Sequence, residues 1–159
     1  MPWRITRDEA LDQIAAEAPG GCLICGILSG RAGRVWVLQE GEHTVSILSR
    51  YPRNWGQAMV LMRRHTTTFS DVTAAEWQEA CEEARRIAAR VESELVPLRC
   101  YISSLGTWRE DLSMSSPHLH IHIDPVYDPE DRPRTVFTHQ HGVMAGEESE
   151  WMALQAILK

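Results

Sequence analysis

Apolar positions along the chain fall into two periods, one helical and one extended. Over residues 6–18, Leu11, Ile14, Ala15 and Ala18 recur at helical spacing and share a face. Thr6 and Glu9 have the spacing of a capping box, and Pro19-Gly20-Gly21 ends the segment. Residues 34–39 carry the β-prone run Val35-Trp36-Val37-Leu38, and residues 44–48 alternate through Val45 and Ile47. With the turn-like Glu40-Gly41-Glu42 between them, these two runs predict an antiparallel hairpin. A loop over 49–56 leads to a third strand, 57–62, which runs into Arg63-Arg64-His65.

The longest helical pattern covers 73–95. Thr73 and Glu76 form a second capping box. Trp77, Cys81, Ala84, Ile87, Ala88, Val91 and Leu95 make the predicted buried stripe, with Glu82, Glu83, Arg86 and Arg90 on a solvated face. Pro97 stops the helix. Residues 98–103 predict a fourth strand, 104–116 a polar loop, and 117–125 a fifth strand. The segment to Pro133 is too rich in proline and charge for regular structure. Residues 147–159 predict a last helix with Trp151, Leu154 and Leu158 inward. Strands in consecutive, hairpin-like order with one long helix inserted predict an α+β class with an antiparallel sheet.

The fifth strand holds the chemistry. In Pro117-His118-Leu119-His120-Ile121-His122-Ile123-Asp124-Pro125, period two sends three imidazoles to one face and three aliphatic side chains to the other. Imidazoles titrate near neutrality and serve as bases, nucleophiles or metal ligands. A mononuclear metal site on His118, His120 and His122 is one use of them. It is awkward, because alternate side chains on a flat strand stand in a row about 6–7 Å apart. Cys22 and Cys25 form a Cys-x-x-Cys pair between glycines. Because the pair follows a helix rather than a strand, it reads as a metal knuckle before a redox motif. Cys81 and Cys100 read as buried thiols, His43 as a surface residue, and His139 and His141 as a solvated pair, with a second metal patch, or His139 brought near the site by the C-terminal tail, as alternatives.

Composition narrows the partners. At 159 residues and 43% hydrophobic content the chain reads as one soluble globular domain. No apolar run approaches the roughly 20 residues of a spanning helix, and the first residues lack the apolar core of a secretory signal. No membrane partner and a cytoplasmic location are therefore expected. The net charge of −6 argues against nucleic acid as a partner, though not against a small anion held by a local cluster of donors.

His118-Leu119-His120-Ile121-His122-Ile123 resembles the signature of the histidine triad (HIT) superfamily, in which three histidines alternate with apolar residues. Position seven, Asp124, is apolar in the usual pattern. The resemblance extends to Cys22-Leu23-Ile24-Cys25, to Asn54-Trp55-Gly56, and to the basic-basic-His of Arg63-Arg64-His65. It covers a core of about residues 20–125 within a single domain of 1–159, leaving 126–159 as a C-terminal extension. It implies a five-stranded antiparallel sheet with one long helix, and a homodimer whose sheets join. It also implies cleavage at the α-phosphorus of a nucleoside phosphate. His120 would be the nucleophile, forming a covalent nucleotidyl-histidine, and His122 would support it. Asn54 and the turn residues Ser113, Ser115 and Ser116 would hold the substrate. Cys22, Cys25, His65 and His118 would bind a structural zinc, and no catalytic metal is required.

Three departures bear on activity. The family's Gly-Gln before the triad is Ser113-Met114 here, and an asparagine of the preceding strand becomes Ser103 or Ser104. The histidine that often follows the loop glycine is Gln57, which removes an acid or base from that position. The lead-in Ser115-Ser116-Pro117-His118 also resembles the related uridylyltransferase branch, so a transferase or phosphorylase stands beside the hydrolase. A non-catalytic, zinc-stabilised nucleotide-binding module is the remaining alternative.

Overall fold

The computed structural model describes residues 1–17, 21–104 and 116–159. The expected end of the first helix at 18–20, and most of the polar loop with Ser113 and Ser115, lie outside the described residues.

In chain order the elements are β1 (Trp3–Ile5), α1 (Arg7–Glu17), α2 (Leu23–Leu28), β2 (Val37–Glu40), β3 (Thr44–Leu48) and β4 (Ala58–Met62). A single 3₁₀ turn, Phe69–Asp71, precedes α3 (Ala74–Leu95), β5 (Arg99–Ser103), β6 (His120–Val126), α4 (Pro133–Val136), β7 (Val143–Ala145) and α5 (Glu148–Leu158). Five strands form one antiparallel sheet in the order β2-β3-β4-β6-β5. One connection departs from the consecutive order expected. The chain leaves β4 through α3, builds β5 at the far edge, and returns β6 to the gap between them. The strand with the aliphatic row takes the interior position, while β5, which carries Arg99 and an exposed Ile102, takes the edge.

α3 packs on one face of this sheet. Its N-terminus is the predicted box: Glu76 N–H donates to Thr73 Oγ1 at 3.2 Å and Thr73 N–H donates to Glu76 Oε2 at 2.8 Å. The same carboxylate takes two bonds from the Arg64 guanidinium, both 2.9 Å, so the helix start is tied to the end of β4. Ala80, Ala84, Ile87, Ala88 and Val91 meet Val60, Met62, Leu119, Ile121 and Ile123 in the main core. The stripe is buried as predicted at Ala84, Ile87, Ala88 and Val91, with Trp77 and Leu95 packed against the core, and departs at Cys81. Ala80 is buried where Cys81 was expected, and Cys81 is exposed. Glu83, expected in solvent, is buried; Ser46 donates to it and Arg86 pairs with it, which offsets its desolvation. α5 docks as predicted through Trp151, Leu154 and Leu158, and Trp151 stacks on Trp36 at 4.7 Å.

The opposite sheet face carries a second, smaller cluster of Ile24, Val45, Ile47 and Leu61 beneath α2. Here the glycine-flanked knuckle is a short helix. Cys22 is its N-cap, and its sulfur accepts the Cys25 N–H. α1 has the Thr6–Glu9 box, but only Ala10 of its residues is buried. Its C-terminal Glu17 accepts from Tyr51 at 2.8 Å and pairs with Arg50, pinning the helix over the 49–56 loop. A two-stranded sheet of β1 and β7 joins the two ends of the chain, an element that three-residue segments do not announce.

Candidate functional site

β6 builds the site because its neighbours leave one face open. Leu119, Ile121 and Ile123 go under α3, which turns His120, His122 and Asp124 to the other face. Leu61 lies opposite His120 and Met59 opposite His122 across β4. His118 precedes the strand and is fully buried. Its Nε2–H donates to the Met62 carbonyl at 2.7 Å, leaving Nδ1 as the free lone pair. Burial pushes its pKa down to about 4, which keeps the ring neutral.

That lone pair faces the cysteines. His118 Nδ1 is 3.6 Å from Cys22 Sγ and 3.4 Å from Cys25 Sγ, and His65 Nδ1 is 3.2 Å from Cys25 Sγ. All four donor atoms lie within 4.8 Å of one another. Tetrahedral zinc with ordinary bond lengths would set sulfur–nitrogen edges at about 3.5–3.6 Å. The Cys22, Cys25, His65 and His118 cluster therefore fits a closed Cys₂His₂ structural zinc. The Met62 carbonyl is the outer partner that orients His118 as a ligand. Its donors come from α2, the end of β4 and the entrance to β6, so the metal would join the second cluster to the sheet. The three triad imidazoles do not converge on one point, because His118 turns to the thiols while His120 and His122 turn to each other.

His120 Nδ1–H donates to the His118 carbonyl at 2.6 Å, which places the His120 lone pair on Nε2. That nitrogen lies 2.9 Å from Nε2 of His122. One of the two must carry the proton, and only His122 is able to. Its Nδ1 receives the Gln57 amide N–H at 3.4 Å, and Gln57 Oε1 is held by the Arg53 N–H at 2.8 Å. The chain of donors thus runs from Arg53 through Gln57 and His122 to His120. Burial lowers the pKa of both imidazoles, and for His122 the charges near it, including Arg53, add to that effect. Both rings are neutral at pH 7.

His120 and His122 line a cavity of about 250 Å³. Ile14 of α1, Ile27 of α2, Ile47 and Met59 form apolar walls. Ser116 lines the end near the cysteines, its hydroxyl 3.9 Å from Cys22 Sγ. His139 lines the same cavity from the C-terminal extension, the alternative to its expected place in a solvated pair. Asn54 does not reach it. Its amide donates to the Pro125 carbonyl at 2.9 Å, its oxygen accepts from Arg4 at 3.3 Å, and it borders a separate cavity with His141 and Asp131. Ser113 and Ser115 lie outside the described residues.

Two features of the site escaped sequence reasoning. Gln57 orients His122 although it cannot titrate. Asp124 forms a buried ion pair with Arg53 at 2.7 Å, with side chains 2% and 7% exposed. The signal for that pair was present, since period two puts Asp124 on the histidine face and a lone carboxylate there needs a cation.

The HIT domain matches residues 35–128. No curated protein matches the chain. Among solved structures, a Zn-bound histidine triad family protein from Mycobacterium smegmatis is 21% identical, with TM-score 0.66, covering 86% of this chain and 92% of its own. A hypothetical histidine triad nucleotide-binding protein from Sulfolobus tokodaii is 19% identical, with TM-score 0.65, covering 86% of this chain and 89% of its own. A Hit-like protein from Bartonella henselae is 12% identical, with TM-score 0.66 over 86% of this chain and 93% of its own. At such identities the likeness establishes the shared fold.

Proposed function

The chain belongs to the HIT family, and from that premise we propose that it is a hydrolase or nucleotidyl transferase acting at the α-phosphorus of a nucleoside phosphate. The observation that carries this reading is the His120 tautomer. With Nδ1–H held by the His118 carbonyl, the neutral imidazole carries its lone pair on Nε2, which accepts the His122 Nε2–H on the wall of the cavity that both rings line. A lone pair fixed in this way is a nucleophile, and a covalent intermediate divides one difficult displacement into two. His120 attacks phosphorus and the leaving group departs with the bonding pair. The His122 Nε2–H, released from His120, donates to a phosphate oxygen as charge develops. The Ser116 hydroxyl is the donor to the phosphate at this end of the cavity, and Ser113 and Ser115, outside the described residues, are candidates by sequence alone. The apolar wall of Ile14, Ile27, Ile47 and Met59 suits a nucleobase and excludes water from its faces.

The zinc, held by Cys22, Cys25, His65 and His118, is structural in this scheme, and no step requires a metal at the phosphate. The cytoplasm is the expected location, since its reducing conditions keep Cys22 and Cys25 available as ligands. No described helix is long and apolar enough to cross a membrane. The partner protein in this reading is a second copy of the chain joined along β5, where Leu98 and Ile102 are exposed beside Val96. Sedimentation should show a dimer that Ile102→Lys converts to monomer.

Substrates to screen are dinucleoside polyphosphates and nucleoside 5′-phosphoramidates. His120→Asn should abolish turnover while retaining nucleotide binding by calorimetry. Full activity in that variant would overturn the reading. Tight binding with no turnover by the wild-type protein would favour the non-catalytic module.

A further inference from the structure

The family domain ends at residue 128, yet a third imidazole, His139, reaches the cavity from beyond it. Its position is built. Phe137 at the end of α4 packs edge-on against Tyr101 at 5.6 Å and lies under the Arg53 guanidinium at 5.9 Å. After the histidine, Gly142 N–H closes a turn on the His139 carbonyl at 3.0 Å. Gly142 has φ 75°, and a Cβ there would stand 2.1 Å from the Ile5 carbonyl oxygen. Met144 N–H then donates to the Pro52 carbonyl at 2.6 Å, and β7 pairs with β1. His139 is thus clamped on both sides against the 50–53 loop.

The Tyr51 backbone favours a proton on the His139 ring, and a neutral imidazole keeps a lone pair on its other nitrogen. Burial, reinforced by the charges of Arg53 and Arg7, lowers its pKa to about 4 and keeps that lone pair free at neutral pH. His139 is also close enough to His122 to act on it electrostatically.

This inference rests on the function proposed above. In the covalent intermediate, Nε2 of His120 is bonded to phosphorus and its Nδ1 carries a proton. His122 has its Nδ1 lone pair occupied by the Gln57 N–H and a proton on Nε2. Neither ring can then accept a proton without the Gln57 contact breaking, and Gln57 cannot titrate. We propose that His139 is the general base that deprotonates the acceptor, water or another hydroxyl, in the second half of the reaction. The acceptor oxygen bonds to phosphorus, the P–N bond breaks, and its electron pair returns to Nε2 of His120. The acceptor proton passes to the free ring nitrogen of His139 and then to solvent. The C-terminal extension thus restores a base that Gln57 lacks.

The test separates the two half-reactions by rapid quench, using adenosine, guanosine, cytidine and uridine 5′-phosphoramidates labelled at phosphorus. A lost general base typically costs about 10²–10⁴-fold. In His139→Ala, breakdown of the His120 adduct should slow by about 100-fold, formation should change far less, and labelled protein should accumulate. Added imidazole should restore breakdown, a response that a merely structural role would not give. His139→Gln, of similar reach and unable to accept a proton, provides a second variant if the alanine variant fails to fold. Unchanged breakdown, or formation and breakdown falling together without imidazole rescue, would overturn the assignment. Absence of any adduct in the wild-type protein would instead overturn the underlying function, and this role with it.

Discussion

Asp124→Asn tests the packing behind the site. The variant keeps the shape of the side chain and strands Arg53, which is 7% exposed, without its anion. Removing one partner of a buried pair costs about 3–5 kcal/mol. Only one contact of 2.7 Å joins this pair, and Arg53 Nε and Asp124 Oδ2 have no partner among the described residues. The Phe137 face under the guanidinium offsets part of the loss. The lower end, about 3 kcal/mol, is therefore expected. For a chain of this size that corresponds to a fall in Tm of about 6–12 °C. Burial raises the Asp124 pKa even against Arg53, so the pair itself is no large net gain. Arg53→Met with Asp124→Leu should accordingly recover most of the stability. Urea unfolding of the wild type and the two variants at one protein concentration and pH 7 measures both values. An Asp124→Asn cost below about 1 kcal/mol, or a double variant no better than the single, would refute the reasoning.

Three further outcomes follow from the same contacts. Metal analysis should find one zinc per chain, lost in Cys25→Ser with reduced stability, because the four donors would tie α2 to the sheet; retention of full occupancy would contradict the ligand set. Gln57→Leu removes the donor to His122 Nδ1 and should lower kcat by up to about tenfold, the worth of one neutral hydrogen bond, with the fold intact by circular dichroism. Glu76 has its pKa lowered to about 2 by the Arg64 bond and the Thr73 cap, so its charge favours the folded state above about pH 4.5 and loses that effect as pH falls toward 2. The stability gap between the wild type and Glu76→Gln should therefore close over that range, and a gap constant to pH 2 would contradict it.

Much of this architecture was legible in the sequence because it rests on local rules. The Thr73–Glu76 box, the alternation of β6 and the inward face of α5 each follow from spacing alone. The exchange of Ala80 for Cys81 in the α3 stripe did not, since alanine and cysteine are equally acceptable neighbours of a sheet and only packing chooses between them. Burial of Glu83 depended on a hydroxyl from β3, far away in sequence. The zinc ligands were nominated through resemblance, and the structure supplies what resemblance lacks, namely the Met62 carbonyl that aims His118 at the thiols. Asn54 was nominated the same way, and its amide is spent on the backbone of β6. His139 was open to two readings, solvated or brought to the site by the C-terminal tail, for a different reason. A histidine in a polar segment is ordinary, and only the pairing of β1 with β7 carries that segment back over the cavity.

The central claim is a covalent bond between His120 and phosphorus. Protein incubated with a nucleoside phosphoramidate, quenched rapidly in base and digested at alkaline pH, should yield a single peptide carrying one nucleoside monophosphate on His120. That mass should be absent in His120→Asn. An adduct on another residue, or active wild-type protein that never carries one under quench, would contradict the account.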